Sequence, residues 1–473
     1  MSARLYLSAA HKSSGKTTVA IGVCAALSAR GLIVQPYKKG PDYIDPLWLT
    51  KAAGRACYNL DFHTMEASEI DSCFRAEAVG ADILVVEGNK GLFDGVAVDG
   101  SNSNAALAHQ LKTPVVLVLD AKGVSRGVAP LVLGYRHFDP SLPIAGVILN
   151  RVAGARHEAK LRAVLKAYTD VPVLGAVAES LELTITERHL GLVPSGEWGG
   201  ADLLIARLAR AIEDGVDVAA LAALGTGPQP GYESARSRSV SKGWRLGIAR
   251  DAAFSFYYPG DLVALERLGA ELVFFDTVND PGIPAVDALF IGGGFPETQA
   301  SALAANVGMR ASIRAAIESG LPAYAECGGL MYLSQSLTWH EQTYPMAGVL
   351  PGRVVMEERP VGHGYMVLRP TAAHPWAFGS SGPVPAHEFH YSRLVDLDPK
   401  AQFAFTVDRG QGVDGHHDGL IYKNLVAQYA HLRDTKACPW TERFAAFVAH
   451  RRRRLDEAAR GDVKERESCE NSL

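Results

Sequence analysis

No stretch of about 18 or more apolar residues occurs anywhere in the 473 residues, so no membrane-spanning helix is expected. The amino terminus runs directly into a strand-like segment, which argues against a signal sequence. Neither sign of charge dominates, with 47 Lys and Arg against 51 Asp and Glu and a net charge of -4. The one dense basic run, Arg451 to Arg454, lies in a polar C-terminal tail and reads as solvated surface, so no nucleic-acid partner is expected. Six cysteines, at 24, 57, 73, 327, 438 and 469, show neither CxxC nor a metal-ligand spacing. That excludes a disulfide scaffold and a zinc site and fits a reducing, cytoplasmic location. No repeat or low-complexity array is present.

What is present is an ordinary globular composition, 48% hydrophobic and 21% charged, in a chain long enough for two or three domains. From residue 4 to about 212, short apolar runs alternate with amphipathic stretches, the pattern of βαβ units around a parallel sheet. Strands are predicted at Leu5 to Ala9, Ile33 to Tyr37, Ile83 to Val86, Val115 to Leu119 and Ile144 to Leu149. Each is rich in Val, Ile and Leu, as strands buried on both faces require. The first crossover helix should run from about Lys16 to Arg30, closed by Gly31. Residues 225 to 243, rich in Gly, Pro and Ser and without periodicity, read as a linker. A second α/β unit follows, with strands at Arg245 to Ala249, Glu271 to Phe275, Ala288 to Ile291 and Pro322 to Ala325. The predicted organisation is a domain over 1–224, the linker 225–243, a domain over 244–437, and a terminal helix and charged tail over 438–473.

After the first strand comes Ala10-His-Lys-Ser-Ser14-Gly15-Lys16-Thr17-Thr18, the Gly-Lys-Thr core of a P-loop at the entrance to a helix. Backbone N–H groups there can cradle the phosphates of ATP, Lys16 can reach the β and γ oxygens, and the Thr17 hydroxyl can bind Mg²⁺. Ala10 stands where the motif usually has its first glycine. Asp42, Tyr43 and Asp45 in Gly-Pro-Asp-Tyr-Ile-Asp-Pro, Glu87 in Val-Val-Glu-Gly, and Asp94 in Gly-Leu-Phe-Asp-Gly all fall near predicted strand ends, where ligands bind in open α/β sheets. Glu87 and Asp42 are assigned with Thr17 to the metal, and Tyr43, Asp45 and Asp94 to the substrate rim. Asp45 and Asp94 taken singly read equally well as turn or capping residues. Asn150, ending the fifth strand, is either a reader of the nucleotide base or a capping residue.

Cys327 sits in Leu-Pro-Ala-Tyr-Ala-Glu-Cys-Gly-Gly-Leu-Met-Tyr, where an apolar run stops at a cysteine and two glycines open a helix. This is the sequence form of a nucleophile elbow, and a helix N-terminus there favours the thiolate. Gly292-Gly293-Gly294 after the Ala288 to Ile291 strand lets backbone N–H groups approach a ligand closely. Gly293 and Gly328 are the expected oxyanion donors. His431, closing the apolar stretch from Leu425, is the expected base; His363 and His390 receive only packing roles.

These strings, with Ile148-Leu-Asn-Arg-Val, Glu187-Arg-His-Leu-Gly-Leu-Val-Pro and His387-Glu-Phe-His-Tyr-Ser, resemble the cobyrinic acid a,c-diamide synthase family over nearly the whole chain apart from the tail. The resemblance implies an α/β protein that joins a dethiobiotin-synthetase-like P-loop domain to a class I glutamine amidotransferase domain. It implies a ligase that uses ATP, Mg²⁺ and L-glutamine to amidate side-chain carboxylates of a tetrapyrrole such as cobyrinate, and it is compatible with a homodimer. Most class I glutaminases carry a glutamate two residues after the histidine; here that position is Arg433, and the cobyrinate-type branch manages with a Cys/His pair. The family usually has a small or apolar pair where this chain has Asn89-Lys90, which brings in sirohaem, the acceptor of a similar branch, as the alternative substrate.

The expected chemistry has two parts. A macrocycle carboxylate attacks the γ-phosphate to give an acyl phosphate, which ammonia then displaces. Cys327 releases that ammonia from glutamine, with His431 moving the proton. A P-loop switch ATPase of the partitioning type is the rival from another class, but a switch has no need of a cysteine elbow.

Overall fold

The computed structural model describes residues 2–188, 191–225, 243–376, 378 and 382–454. The chain divides into two compact units, 1–235 and 236–473. The expected linker, 225–243, lies outside the described residues except for its two ends.

The first unit is built on seven parallel strands: β1 (Ala3–Ala9), β2 (Val34–Lys39), β3 (Tyr58–Leu60), β4 (Ile83–Glu87), β5 (Val115–Asp120), β6 (Ile144–Val152) and β7 (Val173–Ala178). Their order is β3-β2-β4-β1-β5-β6-β7. Five of these match predicted strands; β3 and β7 were not expected. β3 has only three residues, too few to show a pattern, and β7 is interrupted by Gly175, where a Cβ would stand 2.5 Å from Val216 Cα. Helix α1 (Lys16–Ala29) is buried from Val19 to Leu27, so it reads as apolar on every side. Gly22 on α1 lies where a Cβ would meet the Leu208 carbonyl oxygen at 2.9 Å, which lets the helix Ala201–Gly215 approach closely. Helix α2 (Ile44–Ala53) begins just past β2. Since β1 is flanked by β4 and β5, the carboxyl ends of β1, β2 and β4 open on the crevice at which open α/β sheets bind ligands.

The second unit has a nine-stranded mixed sheet. Its strands are β8 (Trp244–Ala249), β9 (Ala270–Phe275), β10 (Ala288–Ile291), β11 (Ala323–Glu326), β12 (Gly362–Pro370), β13 (Val384–His390), β14 (Gln402–Arg409), β15 (His417–Tyr422) and β16 (Leu425–Gln428). The order is β9-β8-β10-β11-β16-β15-β14-β12-β13. β8 to β11 and β16 pair in parallel, and the rest of the sheet continues antiparallel from β16. The four predicted strands are present, but the antiparallel half was not expected, because its strands alternate charge and apolar residues over an exposed face.

The expected boundary at 437 falls inside the packing of this unit. A helix over 440–454 inserts Trp440, Phe444, Phe447 and Val448 into the core with Trp244, Phe290 and Tyr324. Trp440 Nε1 donates to the buried carboxylate of Asp261 at 2.8 Å. The expected terminal helix is therefore part of this unit's core. The basic run ends this helix, with Arg452 paired to Asp287 at 3.2 Å. Among the described residues no helix is long and apolar enough to cross a membrane.

Candidate active sites

In the first unit the P-loop turns on Ser13 and Gly15, both at positive φ (66° and 77°), before α1 begins at Lys16. Ala10 is not at positive φ and its side chain joins the core, which explains why alanine is tolerated in place of the motif's first glycine. Its carbonyl accepts from the Tyr135 hydroxyl. Two adjacent residues at the end of β6 hold the loop from the other side: Asn150 Nδ2 donates to Ser14 O at 2.9 Å, and Arg151 donates to Ser13 O at 2.5 Å and to Asp120 at 2.6 Å. A Gly15 Cβ would stand 2.1 Å from the Asn150 amide nitrogen, so the side chain lies directly against the loop. Ser14 is buried and donates to His11 O, while Thr18 lies half-buried in the first turn of α1.

The charged groups converge on Thr17. Its hydroxyl donates to Glu87 at 2.7 Å and lies 3.2 Å from Asp45. Lys16 Nζ reaches the same Glu87 oxygen at 3.0 Å. Lys38, at the end of β2, is only 2% exposed and pairs with Asp45, with Glu87 at 3.2 Å and with Asp42 at 3.7 Å. Burial opposes its charge, but attraction from Asp45, Glu87 and Asp42 outweighs burial and holds the ammonium well above the usual lysine range.

Asp42, expected among the metal ligands, accepts from Ile44 N at 2.8 Å and lies 3.7 Å from Lys38, while Asp45, expected on the substrate rim, lies 3.2 Å from the Thr17 hydroxyl. Asp94 is exposed and closes its own loop by accepting from Gly91 N at 2.9 Å, the turn role. Tyr43 is buried at the start of α2. Lys38 and Arg151 were missed. The signal for Lys38 was in plain view, as two lysines interrupting a strand whose six residues are all buried.

The residues suit a divalent cation. Thr17, Glu87 and Asp45 offer hard oxygen donors, and Glu87 Oε2 is buried without a hydrogen-bond partner among the described residues.

The loop after β4 is set by Asn104, fully buried, which accepts from Asn89 N at 3.0 Å and donates to Gly91 O at 2.6 Å. Asn89 in turn accepts from Lys39 at 3.3 Å. Burial pushes Lys39 down to about 8, with Lys90 and Lys38 adding to the effect and Asp61 opposing it. Lys90 itself is exposed, at φ 41°.

In the second unit Cys327 ends β11 with φ 45° and ψ -101°, and the helix Gly328–Leu333 starts at once. At 329 nothing larger than glycine fits, since a Cβ would stand 2.1 Å from Ile291 O, and at 328 a Cβ would be tight, 3.0 Å from Pro296 Cδ and 3.1 Å from Gly294 N. Cys327 N donates to Gln428 O at 2.7 Å, which ties the elbow to β16. At Cys327 burial opposes the helix N-terminus that is expected to favour the thiolate. Burial pushes the Cys327 thiol up, Glu297 and Glu326 add to this, and the Gly328 N–H is too weak an opposing influence. A base must therefore take its proton.

His431 lies three residues beyond β16, 2% exposed, and its Cε1 would be 2.5 Å from a Cβ at Gly293. The glycine loop, the elbow and His431 thus come together. The His431 ring stacks on His387 (centroids 4.9 Å apart, 17° between planes), and the two backbones pair through a bridge. Arg433, at the position of the usual glutamate, packs its guanidinium over Tyr258 at 5.1 Å. His390 is buried, stacked on Tyr429 and bonded to Ser392 O, and His363 packs on Phe389; both have the packing roles expected of them.

Residues 9–193 match the family model of the CobQ/CobB/MinD/ParA nucleotide binding domain, and residues 245–436 match that of the CobB/CobQ-like glutamine amidotransferase domain. The chain is 46% identical over 456 residues to a cobyrinate a,c-diamide synthase of Magnetococcus marinus, covering 95% of this chain and 97% of that protein. It is 40% identical to the synthase of that name from Methanosarcina acetivorans (91% and 92% covered) and 39% identical to one from Listeria monocytogenes (91% and 96%).

Proposed function

This chain belongs to the cobyrinate a,c-diamide synthase family and is a glutamine-dependent amidoligase with a nucleotide-binding P-loop unit, and from that premise we propose how it works and on what. The substrate is a cobyrinate-type tetrapyrrole, amidated at the a and c side chains. The observation that carries this reading is the pairing, on one chain, of a charge-loaded P-loop with a buried cysteine elbow beside a buried histidine.

In the first unit an acceptor carboxylate oxygen attacks the γ-phosphorus of ATP, and ADP leaves. Lys16 and Lys38 offset the charge spreading over the transferring phosphoryl group, where most catalysis of such a step must arise. Mg²⁺, held by Thr17, Glu87 and Asp45, would supply further charge neutralisation when bound. The N–H groups of the loop, braced by Asn150 and Arg151, bind the phosphates. Ammonia then attacks the acyl phosphate carbon, and inorganic phosphate leaves.

In the second unit His431 takes the Cys327 proton as sulfur attacks the glutamine amide carbon. Gly293 and Gly328 offer N–H groups to the oxyanion, and the proton passes to the departing ammonia. Water then hydrolyses the thioester to glutamate.

With Cys327→Ala, glutamine-dependent amidation should be lost by at least about 10³-fold while added ammonia still supports it. Retention of glutamine-dependent turnover would overturn the reading. A second acceptor, sirohaem, is favoured by one feature, the Asn89-Lys90 pair in a loop fixed by Asn104 and Lys39. Mass shifts of cobyrinate and sirohaem incubated separately with enzyme, ATP and glutamine decide between them.

A further inference from the structure

The position that usually carries the third member of a class I glutaminase triad is Arg433, whose side chain packs on Tyr258. A carboxylate nevertheless meets the histidine. Glu326, the residue before the nucleophile, places Oε2 at 3.4 Å from His431 Nδ1, with both side chains only 3% exposed. Its other oxygen is occupied, since Oε1 accepts from Leu432 N at 2.9 Å and from the Tyr324 hydroxyl. The Tyr324 oxygen accepts in turn from Gln428 Nε2 at 2.9 Å. The carboxylate is thus clamped at one oxygen and turned so that the other faces the ring.

We propose that Glu326 is the positioning residue of His431, a triad carboxylate supplied from the strand of the nucleophile instead of from beyond the histidine. The inference rests on the reading of Cys327 and His431 as the glutaminase pair. A carboxylate at Nδ1 selects the tautomer with its proton on Nδ1, leaving Nε2 as the lone-pair nitrogen that receives the thiol proton. It also stabilises the imidazolium once that proton arrives, without taking the proton itself. The need is large here because burial raises the thiol, so the base must work against it. A distance of 3.4 Å is long for a hydrogen bond, and contacts of this kind tighten when charge develops on the ring.

Alternate β-strand geometry explains how one chain can do this. Glu326 and Cys327 are neighbours, so an extended strand would send their side chains to opposite faces. The φ of 45° at Cys327 breaks that alternation at the elbow, and β16, paired with β11 through Glu326 and Gln428, brings the chain to His431 three residues later. One carboxylate therefore touches Leu432, Tyr324 and His431 from a position next to the thiol.

The test is Glu326→Gln in the full-length protein. The amide keeps an acceptor for Leu432 N–H and Tyr324 but presents an N–H to Nδ1, which favours the wrong tautomer. Glutaminase kcat should fall about 10²- to 10⁴-fold with the KM for glutamine nearly unchanged. The acidic limb of the kcat/KM profile should move to lower pH, because loss of the carboxylate lowers the affinity of the ring for its proton. Tyr324→Phe, which loosens the clamp but leaves Oε2, should keep kcat within about threefold and leave the limb in place. Full kcat with an unmoved limb in Glu326→Gln overturns the proposal. So does an equal loss in both variants with the limb unmoved in both, which would make Glu326 a structural anchor. Cys327→Ala in parallel separates the readings: if it alone kills glutamine use, only the role of Glu326 has failed.

Discussion

The two units solve opposite electrostatic problems. The first concentrates charged groups out of water before any substrate arrives, with Lys38 paired to both Glu87 and Asp45 and Lys16 paired to Glu87. The second disfavours charge at its candidate nucleophile: burial pushes the Cys327 thiol up, and the proposed base, His431, lies between His387 and Gly293. The difference follows from the proposed chemistry. Phosphoryl transfer moves a group that is charged throughout, so preorganised charge is useful from the start. Amide attack begins neutral, and a permanent thiolate in a buried elbow would carry an uncompensated desolvation penalty.

The comparison can be broken most directly in the first unit. Lys38→Ala leaves Asp45 and Glu87 buried without their shared cation. It should reduce amidation by at least about 10²-fold with glutamine and with ammonia alike, and should lower stability by about 3 kcal/mol, measured by denaturant unfolding. A selective loss with glutamine alone would mean the charges of the first unit serve something other than phosphoryl transfer. Next in size, Gly293→Ala drives a methyl group into His431 and should cut glutamine-dependent turnover by about 10²-fold while sparing the ammonia-dependent reaction. Equal loss with both donors would erase the distinction between the sites.

The smallest effect concerns the core of the second unit. Burial pushes His374 down to about 3, with Arg443 adding to it, whereas the unfolded residue titrates near the usual histidine value of about 6.5. Between those values the unfolded chain binds more protons, so stability should fall as pH drops from about 6.5 toward 3 and recover as it rises again. His374→Asn, which does not titrate, should flatten that limb in a thermal-unfolding series.

Much of this was legible in the sequence because parallel strands buried on both faces write themselves as apolar runs, and because the loops that follow carry their chemistry contiguously. The P-loop, Glu87, the elbow and the glycine run were found that way. What escaped has a common physical cause: partners that meet only through strand register. Lys38 and Glu87 share a register position in paired strands, and Glu326 meets His431 only because β11 pairs with β16. Asp42 and Asp45 differ by less than one helical turn, and only the direction of α2 decides which reaches Thr17. The terminal helix was expected, but its packing into the core of the second unit was not. Trp440 and Phe444 are spaced for a buried helix face, but the charged residues after them masked it.

The elbow has one further meaning. A non-glycine residue held at φ 45° is in a sparsely populated region, and such residues cost about 1–3 kcal/mol each. Glycine at 327 would adopt that backbone with ease, so the backbone would be less strained without the side chain proposed as the nucleophile. Position 327 is a point where folding stability and catalytic fitness favour different residues, and drift toward a more stable inactive protein is open by a single substitution.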